Sequence, residues 1–98
     1  MAGDDGKPRP ALVIQSGYFD WHPSVTVLPV TSHLRETPLF RVMVATHGDN
    51  NLRVPSQVMV DKAVSVARER VGTVFGSLKA EVMLEVNRSL APFLGIAK

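Results

Sequence analysis

The chain has 98 residues, enough for one domain with a single modest core and too few for a second independent module. Hydrophobic residues make up 45% and charged residues 20%, as in an ordinary folded protein, and no apolar run is long enough to span a bilayer. The absence of cysteine excludes disulfides, thiolate zinc sites and cysteine nucleophiles, while the formal charge of +2 favours an anionic partner only mildly.

The first eight residues are polar and carry Gly3, Gly6 and Pro8, which predicts a loop from 1 to 8 that contributes nothing to a core. The same residues lack the apolar segment of a signal peptide. We therefore expect a cytoplasmic protein that makes no membrane contact.

Two β-like segments follow, residues 9–16 and 24–32, joined by an aromatic connection at 17–23. The second segment alternates, and Pro29, which donates no ladder hydrogen bond, predicts a bulge or a bend near its end. Apolar and β-branched residues predict further short strands, about five or six in all, within 39–44, 56–60 and 64–75.

From Lys79 onward the apolar period becomes helical, which predicts a C-terminal helix over 79–94. Ser77 is the expected N-cap, and Pro92 is expected to kink or end the helix. The apolar stripe of this helix consists of Met83, Val86, Leu90, Phe93 and Leu94. The prediction is therefore one domain over 1–98, with strands between 9 and 78.

Polar side chains stand at one end of each of the first two strands: Arg9 begins the first, and Thr31 with Ser32 ends the second. A guanidinium and hydroxyls presented together suit a phosphate group. On spacing alone, a solvated arginine and a turn-forming Thr-Ser pair are the more frequent situation. The residues by themselves therefore leave phosphate binding as the less favoured interpretation.

The three histidines are ambiguous in a similar way. His33 could act as an acid or base beside Thr31, although a lone loop histidine is usually only solvated. His22, His33 and His47 stand in three different loops without a metal-ligand spacing, and no phosphate-binding glycine motif occurs. We predict neither a metal nor a cofactor.

Three aromatic residues lie close together in the first connection: Tyr18, Phe19 and Trp21. They could stack on nucleotide bases, but aromatic residues in a domain this small more often pack in the core. We expect at least one of them in the core, and the position of Trp21 stays open.

Several motifs, taken in order, resemble the MazF/PemK family of bacterial toxins, which are ribonucleases of toxin–antitoxin pairs. The resemblance begins with RPALVI at 9–14 and VLPVTS at 27–32. It continues through 55–61, 72–78 and 86–90, and it covers nearly everything from Gly6 to Ile96. It implies a mostly β fold with a C-terminal α-helix, the SH3-like small barrel of the MazF/PemK/CcdB type. It also implies a homodimer and metal-independent cleavage of single-stranded RNA at short sequences.

The resemblance also implies roles for individual residues. Arg9 matches the family's catalytic arginine, Thr31 matches its catalytic threonine, and Ser32 matches the hydroxyl residue that commonly follows. Gln57 lies in a Ser-Gln motif near the groove. The implied reaction is attack of a ribose 2′-hydroxyl on the adjacent phosphate, which leaves a cyclic phosphate and a free 5′-hydroxyl. The residues expected to bind RNA are Lys7, Ser32, His33 and Gln57.

The chain departs from the family pattern at its start. Family members usually begin with a hydrophobic strand, and this sequence starts just after the point where that strand would end. We therefore expect the strand to be missing, which leaves an unpaired sheet edge and puts activity in doubt. Two alternatives stay open, a CcdB-like toxin that binds gyrase and a catalytically inactive remnant that binds antitoxin. The expected partners are a MazE/PemI-like antitoxin with an acidic, flexible tail, single-stranded RNA and a second copy of the chain.

Overall fold

The computed structural model describes the backbone of residues 2–4 and all of residues 9–36 and 40–96. These residues form seven β-strands and one α-helix, which confirms the predicted fold class. The strands are β1 (Ala2–Asp4), β2 (Ala11–Val13), β3 (Ser24–Thr31), β4 (Arg41–Val44), β5 (Ser56–Met59), β6 (Val64–Ala67) and β7 (Val71–Val74), and the helix is α1 (Ala80–Phe93).

Strand β3 is the centre of the sheet, whose order is β4-β5-β3-β2-β1-β7, with β6 also paired to β3. Along its length β3 pairs with β2, with β6 over residues 24–27 and with β5 over its last two residues. Its burial alternation changes phase where Val27 and Leu28 are both buried, directly before Pro29. This is the place where the sequence predicts a bulge or a bend.

A first strand is present, because β1 pairs antiparallel with β2 on one side and with β7 on the other. The prediction of a loop from 1 to 8 is wrong for residues 2–4, and so is the expectation of a missing strand. The segment has no strand pattern of its own. Two neighbouring strands supply its hydrogen-bond partners, so tertiary context overrides local propensity. Residues 5–8 lie outside the described part of the chain.

The hydrophobic core lies where the sheet meets α1. Its buried members are Leu12, Leu28, Val30, Val42, Val44, Val58, Val60 and Val86. Val86, near the middle of the helix, is fully buried, and burying one such side chain contributes about 1.5–3 kcal/mol. Val82, Met83 and Leu90 pack against the same cluster, so Met83, Val86 and Leu90 of the predicted stripe hold the helix. The stripe is wrong at its end, where Phe93 and Leu94 are exposed, and it lacked Val82.

The helix begins without the predicted cap. Lys79 occupies the N-cap position and makes no side-chain capping bond, so the expectation for Ser77 is wrong. The backbone N–H of Ser77 instead donates to the carbonyl of Asp49 at 2.8 Å. Ser77 therefore ties the segment before the helix to the turn after β4.

A glycine, rather than the proline, ends the helix. Pro92 lies within the last turn, and the helix continues to Phe93. Gly95 has a left-handed φ of 76°, its N–H donates to the carbonyl of Pro92, and the N–H of Ile96 donates to that of Ala91. This pattern is a Schellman motif, which favours glycine at the left-handed position. Within the described ranges, no helix is long and apolar enough to cross a membrane.

Candidate active site

Arg9 and Thr31 meet at one end of the β2–β3 ladder. Ala11 pairs with Pro29 in this ladder, and the N–H of Val30 donates to the carbonyl of Pro10 at 3.0 Å. One further step in the same antiparallel register sets Arg9 opposite Thr31, where the two side chains share a face. Both residues line a cavity of about 380 Å³. The fold therefore brings the two predicted catalytic residues together.

The lining of this cavity has a cationic character. It includes Arg9 and Arg53 together with Thr31, Ser32 and Ser56, and the other lining residues are apolar. In the part of the chain that the structure describes, no acidic side chain lines the cavity and neither arginine is in an ion pair. An unpaired cation beside hydroxyl groups is suited to an anionic ligand such as phosphate.

The hydroxyl of Thr31 is oriented by the backbone that follows it. Its Oγ1 accepts a hydrogen bond from the N–H of His33 at 3.0 Å, in a turn characteristic of threonine. Since one lone pair is used in this way, the O–H remains available to donate to a phosphate oxygen. Ser32, the next residue, is exposed and lines the same cavity.

Gln57 is placed beside Thr31 but is fully engaged with the protein. The two residues pair in the β3–β5 ladder, and Gln57 is buried. Its Oε1 accepts from the N–H of Arg35 at 3.0 Å, and its Nε2 donates to the carbonyl of Arg35 at 2.9 Å. The predicted RNA contact would have to displace these bonds. The geometry instead gives Gln57 the task of holding the loop that follows Thr31.

The other predicted RNA-binding residues differ in how the structure places them. The backbone of His33 is held, because Arg41 Nη1 donates to its carbonyl at 3.1 Å, and the residue itself is exposed. Lys7 lies outside the described residues. Among the residues that are described, no three His, Asp or Glu side chains are grouped so that they could hold a metal ion.

Sequence reasoning missed Arg53 and Ser56. Arg53 lies on the segment between the turn after β4 and the start of β5, which is too short to show a period, and Ser56 was predicted only as a strand residue. Ser56 is buried, and its Oγ donates to the carbonyl of Val54 at 3.0 Å, so this hydroxyl shapes the loop. Only the contact between distant segments reveals that Arg53 belongs to the cavity.

The aromatic connection is exposed and lies away from the cavity. The exposed fractions are 79% for Tyr18, 43% for Phe19 and 73% for Trp21, so the expectation that at least one is in the core is wrong. Arg68 donates to the carbonyls of Phe19 and His22, and these two bonds hold the backbone of the connection. Because Arg9 and Thr31 stand at the opposite end of the β2–β3 ladder, these rings are not part of the cavity.

Comparisons with known proteins identify the family of the chain. A family model described as the PemK-like, MazF-like toxin of type II toxin–antitoxin systems matches residues 1–94. A probable endoribonuclease MazF of Mycolicibacterium smegmatis is 39% identical over 92 residues, which cover 94% of this chain and 84% of that protein.

Solved structures show the same fold. The Mycobacterium tuberculosis toxin MazF-mt6 has a TM-score of 0.84 at 23% identity, over 99% of this chain and 96% of that one. A crystal structure of MazE–MazF (Form-II) from Deinococcus radiodurans has a TM-score of 0.79 at 27% identity, over 98% of this chain and 90% of that one.

Proposed function

Because the chain belongs to the family of PemK-like, MazF-like toxins of type II toxin–antitoxin systems, we propose that it is a toxin that cleaves single-stranded RNA. The cleavage is sequence-selective and needs no metal ion. The observation that carries this proposal is the meeting of Arg9 and Thr31 at one end of the β2–β3 ladder, in a cavity that is cationic along its described lining.

The reaction is an internal displacement at phosphorus. The ribose 2′-oxygen loses its proton and bonds to the adjacent phosphorus, the bond from phosphorus to the 5′-oxygen breaks, and that oxygen takes up a proton. The products are a 2′,3′-cyclic phosphate and a free 5′-hydroxyl. Negative charge accumulates on the non-bridging oxygens at the transition state, where fixed cations and hydrogen-bond donors have their largest effect.

Each of the two residues supplies one part of this stabilisation. The Arg9 guanidinium neutralises charge on the non-bridging oxygens, and it gives up a proton too reluctantly to act well as the acid. The Thr31 hydroxyl donates to a phosphate oxygen, because its own oxygen is already held by the N–H of His33. Thr31 ends β3, and Arg9 directly precedes Pro10, whose carbonyl is bonded to the N–H of Val30, so we expect their spacing to change little when RNA binds.

The proposed partners use the same surface. A MazE-like antitoxin neutralises the toxin by laying an acidic, flexible segment into the cavity, where Arg9 and Arg53 have no acidic partner among the described residues. The solved MazE–MazF pair from Deinococcus radiodurans supports an antitoxin of this class. We further propose a homodimer that acts in the cytoplasm, where its RNA substrate is found.

The two alternatives lose their basis. The matching family model is that of PemK-like and MazF-like toxins, and nothing favours a gyrase-binding protein. The inactive remnant was suggested by a missing first strand, and β1 is present and paired on both edges.

The test is incubation of the purified protein with a mixed RNA in excess EDTA, followed by sequencing of the cut ends. We expect cuts at one short motif, with a cyclic phosphate on one product and a 5′-hydroxyl on the other. An oligonucleotide with 2′-deoxyribose at the cut position should survive. Arg9→Gln, purified identically, controls for contaminating ribonucleases. Uncut RNA, or cleavage of the deoxy substrate, would refute the proposal.

A further inference from the structure

We infer that Arg53 is a second phosphate-binding residue of the cavity, and that it binds the backbone phosphate next to the one that is cleaved. The inference rests on the proposed ribonuclease function. It assigns a substrate contact to a residue that neither the strand pattern nor the family motifs single out.

The first ground is position. Arg53 lines the same cavity as Arg9 and Thr31, although it comes from the segment between β4 and β5 rather than from the β2–β3 ladder. The volume of about 380 Å³ is that of a site for a small organic molecule, and it exceeds what one phosphate group needs. A second segment of chain therefore adds a second cation to one nucleotide-sized site.

The second ground is that the start of this segment is built to hold its shape. Asn50 is buried, its Oδ1 accepts from the N–H of Leu52 at 2.9 Å, and its Nδ2 donates to the carbonyl of Ala45 at 2.9 Å. Asn51 adopts a left-handed φ of 53°, and its Nδ2 donates to the carbonyl of Phe75. These bonds fix the turn from which the segment leaves.

The other end of the segment is held as well. Ser56 is buried at the first position of β5, and its hydroxyl donates to the carbonyl of Val54. The backbone at Arg53 therefore runs between two fixed points. A cation presented by a preformed backbone loses less conformational entropy when it binds an anion than one on a free loop.

The third ground is charge. Arg53 is exposed, and the structure's described residues provide it with no ion pair, since the one salt bridge among them joins His47 and Asp49. Because Arg9 and Arg53 line one cavity, an anion that binds there is attracted by both positive charges. The arrangement favours a ligand with more than one negative charge, and a nucleic-acid strand carries one at every phosphate.

Arg9 and Arg53 are assigned to different phosphates because they reach the cavity from different segments of the chain. Arg9 and Thr31 follow from one ladder register and line one cavity, so we assign both of them to the scissile phosphate. Arg53 approaches the cavity from another segment, so the neighbouring phosphate of the same strand is the group left for it. A contact of this kind strengthens substrate and transition-state binding equally, which changes KM and leaves kcat nearly constant.

The experiment compares Arg53→Gln and Arg53→Lys with wild type and with Arg70→Gln, which removes an exposed arginine that does not line the cavity. The first substrate is an RNA oligonucleotide that contains the motif mapped for wild type. The second carries 2′-deoxyribose at the cut position, so that binding can be measured without cleavage. Its affinity is measured from roughly 50 to 200 mM salt, because the fall of affinity with salt reports the number of phosphate contacts.

For Arg53→Gln we expect about a tenfold weaker affinity and a matching rise of KM, with kcat changed less than about twofold. The slope of log affinity against log salt should fall in magnitude by about 0.7, the value for one phosphate contact on a single strand. Arg53→Lys should restore the slope and part of the affinity, because it keeps the charge and loses the planar fork. Arg70→Gln should match wild type in both respects.

Two results would overturn the inference while the ribonuclease function stands: unchanged affinity and salt slope in Arg53→Gln, or a fall of kcat with KM unchanged, which would place Arg53 on the scissile phosphate. A wild-type protein that leaves RNA intact would refute the proposed function itself, and with it the role of Arg53. Wild type is assayed first, so a failure of the proposed function is recognised before any Arg53 variant is compared with it.

Discussion

Arg41 and Gln57 form a hydrogen bond across the β4–β5 pair, in which Arg41 Nη1 donates to Gln57 Oε1 at 3.2 Å. The same Nη1 lies 3.1 Å from the carbonyl oxygen of His33, and Gln57 bonds both backbone groups of Arg35. These contacts hold residues 33–35, which directly follow Thr31 and Ser32. The position of the Thr31 hydroxyl therefore depends on a buried amide whose oxygen and nitrogen are both bonded to the protein.

Replacing Gln57 with methionine should reduce both stability and cleavage. The change keeps the length of the side chain but leaves the N–H and carbonyl of Arg35 without their partner, which costs about 1–3 kcal/mol. We expect kcat to fall as well, because the loop that orients Thr31 loosens. Urea unfolding and single-turnover cleavage measure the two effects.

Gln15 provides the matched control for this change. Its side chain bonds the N–H of Thr26 and the carbonyl of Ser24, at the end of the β2–β3 ladder away from the cavity. Gln15→Met should therefore lose a similar amount of stability and keep its kcat. If both variants lost kcat equally at a temperature where they are folded, Gln57 would have only a structural role.

Thr31 can be tested with two substitutions of nearly equal size. Thr31→Val removes the hydroxyl and keeps the β-branched shape that suits a strand, so the protein should fold while kcat falls about 100-fold or more. Thr31→Ser keeps the hydroxyl and the bond from the N–H of His33, so it should retain most of the activity. Single-turnover rates with the mapped oligonucleotide decide between them. A valine variant that cleaves like wild type would remove Thr31 from the mechanism.

Much of the fold could be predicted from local pattern, because β3 and α1 are the longest elements and each shows its own period over most of its length. The predicted stripe on α1 holds around the buried Val86 and fails at the end of the helix, where Phe93 and Leu94 are exposed. Strand β1 could not be found in this way, since its pairing is supplied by β2 and β7 rather than by its own residues. The prediction for the aromatic connection was wrong for the opposite reason. Its hydrophobic character predicted burial, whereas its backbone is bonded to Arg68 and its rings are exposed to solvent.

The residues of the candidate site could likewise be predicted only in part from the sequence. Arg9 and Thr31 emerged from strand ends and from the family resemblance, and the ladder register brings them together. Arg53 lies more than twenty residues beyond Thr31, in a segment without a period, and joins them only through tertiary contact. The RNA contact of Gln57 stays a prediction. Its bonds to Arg35 and Arg41 could not be predicted, because the partners of a buried amide depend on how distant loops fold over it.

Trp21, the one tryptophan of the chain, offers a direct check on the exposed aromatic connection. Because its ring is largely in water, its fluorescence should already be red-shifted in the native state and change little in wavelength on unfolding. Trp21→Ala should alter the free energy of unfolding by less than about 0.5 kcal/mol. A blue-shifted native emission, or a large loss of stability, would show that the connection is covered in solution.

Gly76 sets the position of the turn from which the Arg53 segment begins. A Cβ atom at this position would lie 2.7 Å from the carbonyl oxygen of Asn50 and 2.8 Å from that of Asp49, closer than real Cβ contacts allow. Backbone atoms cannot swing aside as a flexible side chain can. Gly76→Ala should therefore destabilise the protein by about 1–3 kcal/mol and displace the turn.

The matched control for Gly76 lies in the turn itself. An added Cβ at Gly48 would meet nothing within 4 Å, so Gly48→Ala should stay within about 0.5 kcal/mol of wild type. Urea midpoints measure both changes, and binding of the deoxy-substituted oligonucleotide reports on Arg53. Because the displaced turn carries Arg53 with it, Gly76→Ala should also weaken RNA binding while Gly48→Ala leaves it unchanged. Equal midpoints for the two variants would contradict the close packing described for Gly76.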